Sequence, residues 1–136
     1  MYIKTSLNLD IQTQCLDILC DFLDAEHEAI QYGQIYDLYP LAKSIHGLLK
    51  LLRAKREELT GNLMGVSVRD FVSELPGYLG DPLYGKLDRL AKLEQKCLDK
   101  TSRNADLALA LSGRTQAMLD LWNVSSADRT ATGKVQ

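Results

Sequence analysis

Between Pro82 and Trp122 the chain carries no internal proline, and Leu83, Leu87, Leu90, Cys97, Leu98, Ala105, Leu111, Met118 and Trp122 form one wandering apolar stripe. That pattern predicts a single helix about 60 Å long at 1.5 Å per residue, whereas the two helical patterns upstream reach only about 35 Å each. A large part of the long helix must therefore overhang its neighbours. Its distal portion, NADLALALSGRTQAMLDLW, alternates large and small apolar residues in the manner of a strand. The alanines and leucines, and the absence of a β-branched residue before Thr115, make it helix. Wound at roughly 3.6 residues per turn, Leu107, Leu109 and Leu111 cannot share one narrow stripe, so this helix is apolar around more of its circumference than a surface helix needs. With Met118, Leu119, Leu121 and Trp122, that surplus is the one feature that calls for a covering partner.

Composition supports an all-α chain. The sequence has only three Pro and two Phe, few Val, Ile or Thr runs, and abundant Leu, Ala, Lys, Glu and Asp. At 136 residues it fits one domain that can bury a core without disulfides or metal. A net charge of −2 supplies no basic field for nucleic acid or an anionic membrane surface. No run approaches the roughly 18 apolar residues of a membrane span, and MYIKTSLNLD lacks the apolar region of a signal peptide, so a cytosolic protein is expected.

The first helix is expected to start near Asn8 or Asp10, whose short polar side chains can cap free amides, and to end at Gly33. Two adjacent rows, Ile11, Cys15, Ile18, Phe22 and Ala29 beside Leu16, Leu19, Leu23 and Ile30, give it a broad buried face, with Asp17, Asp21, Asp24 and Glu28 off its centre. Asp37 reads as the N-cap of the second helix, with Pro40 in its first turn. Leu38, Leu41, Ile45, Leu48 and Leu52 then recur at steps of three and four, Leu59 closes the seam and Gly61 ends it. The short link between the two makes them antiparallel neighbours. Within 60–82, SVRDFVSEL reads as a short helix capped by Ser67 and pinned by Phe71, Val72 and Leu75. The fold class is thus all-α: an antiparallel hairpin, a short helix and one long third helix, packed as in a bundle or coiled coil. A helical domain over 1–122 and a disordered tail over 123–136 complete the expected organisation.

Signatures of chemistry are thin. Asp24 and His27 have the acid-x-x-His spacing of one half of a di-iron bundle site, but a second such pair is missing, and Gln31 breaks the HExxH zinc pattern. There is no glycine-rich phosphate loop or nucleophile elbow. Cys15, Cys20 and Cys97 lie in apolar stripes without CxxC spacing and read as reduced core residues. Neither an enzyme nor a cofactor is expected.

The order LDAEHEAIQYGQIYDLYPLAKSIHGLLKLL, a glycine-broken segment, LDRLAKLEQKCLDKTSRNADLALAL and a loose tail resembles the FlgN family of flagellar type III export chaperones over roughly residues 10–122. Its marks are the glutamate-bearing helix ending near Gly33, the run Leu38, Leu41, Ile45 and Leu48-Leu49 with its lysine at Lys43, and the stretch Cys97 to Asn104. The resemblance implies a cytosolic, non-enzymatic helical chaperone that holds C-terminal segments of the hook-filament junction proteins FlgK and FlgL. It would deliver them to the export gate or its ATPase. It also implies a client-binding site on the distal long helix, here Asn104, Leu107, Leu109, Leu111, Met118, Leu119 and Trp122. Two features depart from the family: in a run of helix three Lys100 and Ala105 stand where an Asn and a Gly are common, and no tyrosine precedes Gly133 in the tail. A homodimeric helical scaffold, its apolar surplus covered by a second copy, is the competing reading, and a di-iron enzyme a distant one.

Overall fold

The computed structural model describes the backbone of residues 1–131 and the side chains of residues 1–123. Among these residues there are four helices and no strand: α1 (Tyr2–Gln31), α2 (Ile35–Asn62), α3 (Val68–Ser73) and α4 (Gly77–Ala131). The all-α architecture read from the sequence, a hairpin followed by a short helix and one long helix, is the one the chain adopts.

Helix α1 is the centre of the assembly, with α2 and α4 both packed along it and α3 set against α4. Residues joined across α1 and α4 keep a nearly constant separation: Lys86 with Ser6, Cys97 with Cys20 and Asn104 with Leu23 lie 80, 77 and 81 positions apart. These two helices therefore run parallel. Asn8, early in α1, meets Lys55, late in α2, so that pair is antiparallel. The buried residues of α1 explain its central place, since Leu9, Gln12, Leu16, Leu19 and Leu23 alternate steps of four and three while Cys15 and Cys20 flank them. Against them stand Leu52, Leu59 and Leu63 of the α2 arm, Val72 of α3, and Leu83, Leu87, Leu90 and Cys97 of α4. Each leucine so buried contributes about 1.5–3 kcal/mol.

Charges set the register. Asp10, Asp17 and Asp24 recur every seventh residue along α1 and pair with Lys86, Arg89, and Lys100 with Arg103 on α4. These pairs are partly exposed, worth about 0–1 kcal/mol each, so burial holds the helices together and the ladder selects one parallel alignment.

Several boundaries differ from expectation. Helix α1 begins at Tyr2, because Asn8 caps nothing: it is buried, donates its side-chain amide to the Lys55 carbonyl at 2.9 Å, and accepts from Gln12 at 2.6 Å. Ile18 is 46% exposed, so the buried face of α1 is centred on the Leu16–Leu19–Leu23 row. Asp37 is not a cap either, since α2 starts two residues earlier, after Gln34. In both α2 and α4 the proline taken as a start signal, Pro40 or Pro82, is the sixth residue of the helix. Each then forfeits one backbone bond, to the carbonyl of an exposed tyrosine, Tyr36 or Tyr78, where water can take its place. Gly33, with φ +66°, supplies the left-handed residue that stops α1.

The short helix is as read: Ser67 Oγ accepts from the Asp70 amide at 3.1 Å and Val72 is buried. Gly80 lets α4 approach it closely, since a Cβ there would lie 3.3 Å from the Val72 carbonyl oxygen. Helix α4 does not stop at Trp122 but continues to Ala131, a length of about 82 Å. The tail expected over 123–136 is thus helical to that point, and 132–136, with Gly133, lie outside the described residues.

Candidate functional site

Helix α1 ends at Gln31, and the separation of 77 residues that relates Cys20 to Cys97 and His27 to Asn104 puts that end level with about residue 108 of α4. Beyond Leu111, which is half-buried, every described side chain to Asn123 is exposed. Residues 112–131 therefore project about 30 Å past the hairpin. The expected overhang is present.

On the distal part of α4, Leu107, Leu111, Met118 and Trp122 fall within about 60° of one another at 100° per residue. They continue the row that faces α1 lower down, for Leu90, Cys97, Asn104, Leu111 and Met118 are spaced every seventh residue. The seam of α4 is covered by α1 as far as Asn104, half-covered at Leu107 and Leu111, and open beyond, with Met118 74% and Trp122 65% exposed. Leu119, 51% exposed, widens the open face on one side and Leu121 on the other. Among the described side chains of the projection, 112–123, charge is sparse: Asp120 accepts from the Gln116 amide at 2.9 Å and Arg114 is exposed. Such a face suits an apolar helical surface.

Two of the residues expected in this face do not belong to it. Leu109 is 71% exposed but turned about 200° from Leu107 and Leu111, so it points away from the seam. Asn104 is 3% exposed and fully engaged. Its side-chain nitrogen donates to the Leu23 carbonyl at 2.8 Å and to Glu26 Oε1 at 2.9 Å, and its oxygen accepts from Arg103 Nε and meets His27 Nδ1, both at 3.2 Å. This is a clamp between α4 and the last turns of α1, set immediately below the open face. Beside it, hydrogen bonds from Lys100 and then Arg103 hold the Asp24 carboxyl below the usual aspartate range.

The clamp also accounts for Asp24 and His27, since the first is ion-paired and the second rests on Asn104. Among the described residues no three His, Cys, Asp or Glu side chains are grouped closely enough to hold a metal ion. The three cysteines are buried thiols, and burial raises Cys15 and Cys97, the latter to about 12 with a further contribution from Cys20. No described helix is long and apolar enough to cross a membrane.

Sequence reasoning overlooked the Asn104 clamp and the α1–α4 register. The seven-residue recurrence of Asp10, Asp17 and Asp24 against the bases of the long helix was the available signal. The chain matches no known family model, no curated protein and no solved structure.

Proposed function

We propose that this chain is a cytosolic export chaperone of the FlgN type, capturing C-terminal segments of hook-filament junction proteins like FlgK and FlgL and handing them to the export gate or its ATPase. The observation that carries the reading is the open seam. A heptad row built to be covered by a parallel helix runs out of cover at the end of α1 and remains apolar through Leu111, Met118, Leu119 and Trp122. An amphipathic client segment would lie on it as a continuation of α1, making knobs-into-holes contacts with the same row. Holding the segment there masks a surface that would otherwise assemble too early. The client orders as it binds, and that cost keeps the complex releasable. No catalytic step is part of this reading.

The test is calorimetric titration of the purified chain with synthetic C-terminal segments of junction proteins. A 1:1 complex of micromolar or tighter affinity, with increased helical content on mixing, is the expected result. Absence of heat and of added helicity at high concentration refutes it. A second reading, in which another copy of the chain covers the seam, also draws on the heptad spacing. It predicts twice the monomer mass by light scattering and no change on adding client.

A further inference from the structure

Two of the three thiols meet across the main helical contact. Cys20 on α1 and Cys97 on α4 are each 5% exposed, and their sulfurs lie 3.1 Å apart, while Cys97 Sγ also reaches the Leu16 carbonyl at 3.5 Å. Cys15, equally buried, makes no such contact. A disulfide bond is about 2.05 Å long, so the pair needs roughly 1 Å of further approach. Cys97 is not sealed from solvent. It lines a groove of about 210 Å³ between α2 and α4, walled by Leu49, Leu52 and Leu98 and floored by Leu16 and Leu19 of α1. A molecule the size of hydrogen peroxide fits that space without the bundle opening.

We propose that Cys20 and Cys97 form an oxidative modification site, at which a small hydroperoxide converts the two buried thiols into a disulfide that staples α1 to α4. The Cys97 thiolate attacks one peroxide oxygen and the O–O bond breaks. Cys97 becomes a sulfenic acid, and the departing hydroxide takes up the thiol proton as water. The Cys20 thiol then attacks the sulfenic sulfur, the S–S bond forms, and the sulfenic oxygen leaves with the Cys20 proton as a second water. Two thiols are oxidised and one peroxide is reduced to two waters. Because burial holds the Cys97 proton tightly, the first step is slow at neutral pH and the site answers sustained oxidation. The second step is fast because the resolving sulfur is already in contact. The staple closes a loop from residue 20 to 97 and so constrains the unfolded chain strongly.

The test uses the full reduced chain, treated with excess hydrogen peroxide at pH 8 without denaturant, alkylated and digested without reduction. The expected product is a peptide pair linking Cys20 to Cys97, about 2 Da lighter than the sum of its reduced parts, with Cys15 recovered alkylated. The oxidised chain should melt about 10 °C higher, a gain reversed by dithiothreitol. Cys15→Ser should give the same product. Cys20→Ala should stop at a sulfenic acid on Cys97 that dimedone traps. The wild-type peptide map decides the question even if that variant fails to fold. Linkage through Cys15, a linked peptide that appears only in urea, or thiols that survive or pass directly to sulfinic acid would each overturn the proposal.

Discussion

Replacing Met118 and Leu119 together by Asp is the sharpest perturbation of the open seam. The pair is preferable to Leu107 and Leu111, which are half-buried against the end of α1, so aspartates there would disturb the fold as well as the face. Met118 and Leu119 are 74% and 51% exposed, so those fractions of each side chain remain for a client to cover. At about 2 kcal/mol for full burial of such a side chain, the two together offer about 2.5 kcal/mol to a bound helix. Losing that should weaken client binding about 70-fold, before the added penalty of burying two carboxylates. Neither residue supports the hairpin, so the thermal midpoint should move by no more than the equivalent of about 0.5 kcal/mol. Calorimetric titration with a junction-protein C-terminal segment, with a thermal melt of the same sample, measures both quantities. Unchanged affinity in a folded double variant would sink the assignment of the seam as the client site. A large drop in melting temperature would show instead that the projection is packed against something in the free protein.

Other expectations concern the body of the protein. Thr5 is fully buried and its hydroxyl has no hydrogen-bond partner among the described residues, so Thr5→Val should raise stability by about 1 kcal/mol in urea denaturation. Asn104→Ala strips the buried clamp and should cost about 2–3 kcal/mol, measured the same way, while a client segment still binds the folded fraction. Cys97 keeps its proton to about pH 12 when folded but ionises near its ordinary value of 9.0 when unfolded, so the unfolded chain binds fewer protons in that window and stability falls as pH rises through it. Cys97→Ala should show a shallower decline between pH 9 and 11 in parallel urea titrations. At Gly113 an added Cβ meets nothing within 4 Å, so Gly113→Ala should favour the helical projection by up to about 1 kcal/mol and tighten client binding about fivefold, read by circular dichroism and titration.

Helix positions were legible wherever the apolar period was strong and unbroken. The Leu83, Leu87, Leu90 and Cys97 part of the α4 stripe, the α2 seam ending near Gly61 and the Ser67 cap could be read directly, because each depends on residues close in sequence, whereas Leu98 and Ala105, counted in that stripe, are exposed. The starts of α1, α2 and α4 could not. Asn8, Asp37, Pro40 and Pro82 are good local start signals, and each was displaced by contacts or solvation that only the assembled helices provide. The same reason hid the role of Asn104. An asparagine in a helix beside an apolar run reads as surface, yet its partners are the Leu23 carbonyl and Glu26, some eighty positions away in the chain. The helical period already kept Leu109 off any stripe shared with Leu107 and Leu111, and it was misplaced because the whole apolar surplus was assigned to one covering partner.

The length of α1, more than any property of α4, determines where the candidate site begins. Both helices carry the same seven-residue rhythm, and the aspartate ladder fixes their relative position with Asn104 as its last locked rung. Were α1 four turns longer, Leu111, Met118 and Trp122 would be ordinary core. Ending it at Gly33 leaves that part of the seam open at the cost of a projecting helix with few tertiary contacts, and an isolated helix of about 20 residues is only marginally stable in water. Gly113 lies at the root of this segment and weakens it further. A partner that covers the seam must therefore stabilise the projection as well as bind to it. Affinity should then follow the helical propensity of residues 112–123 as closely as it follows their hydrophobicity, which makes the Gly113→Ala and Met118→Asp/Leu119→Asp variants opposing tests of one mechanism.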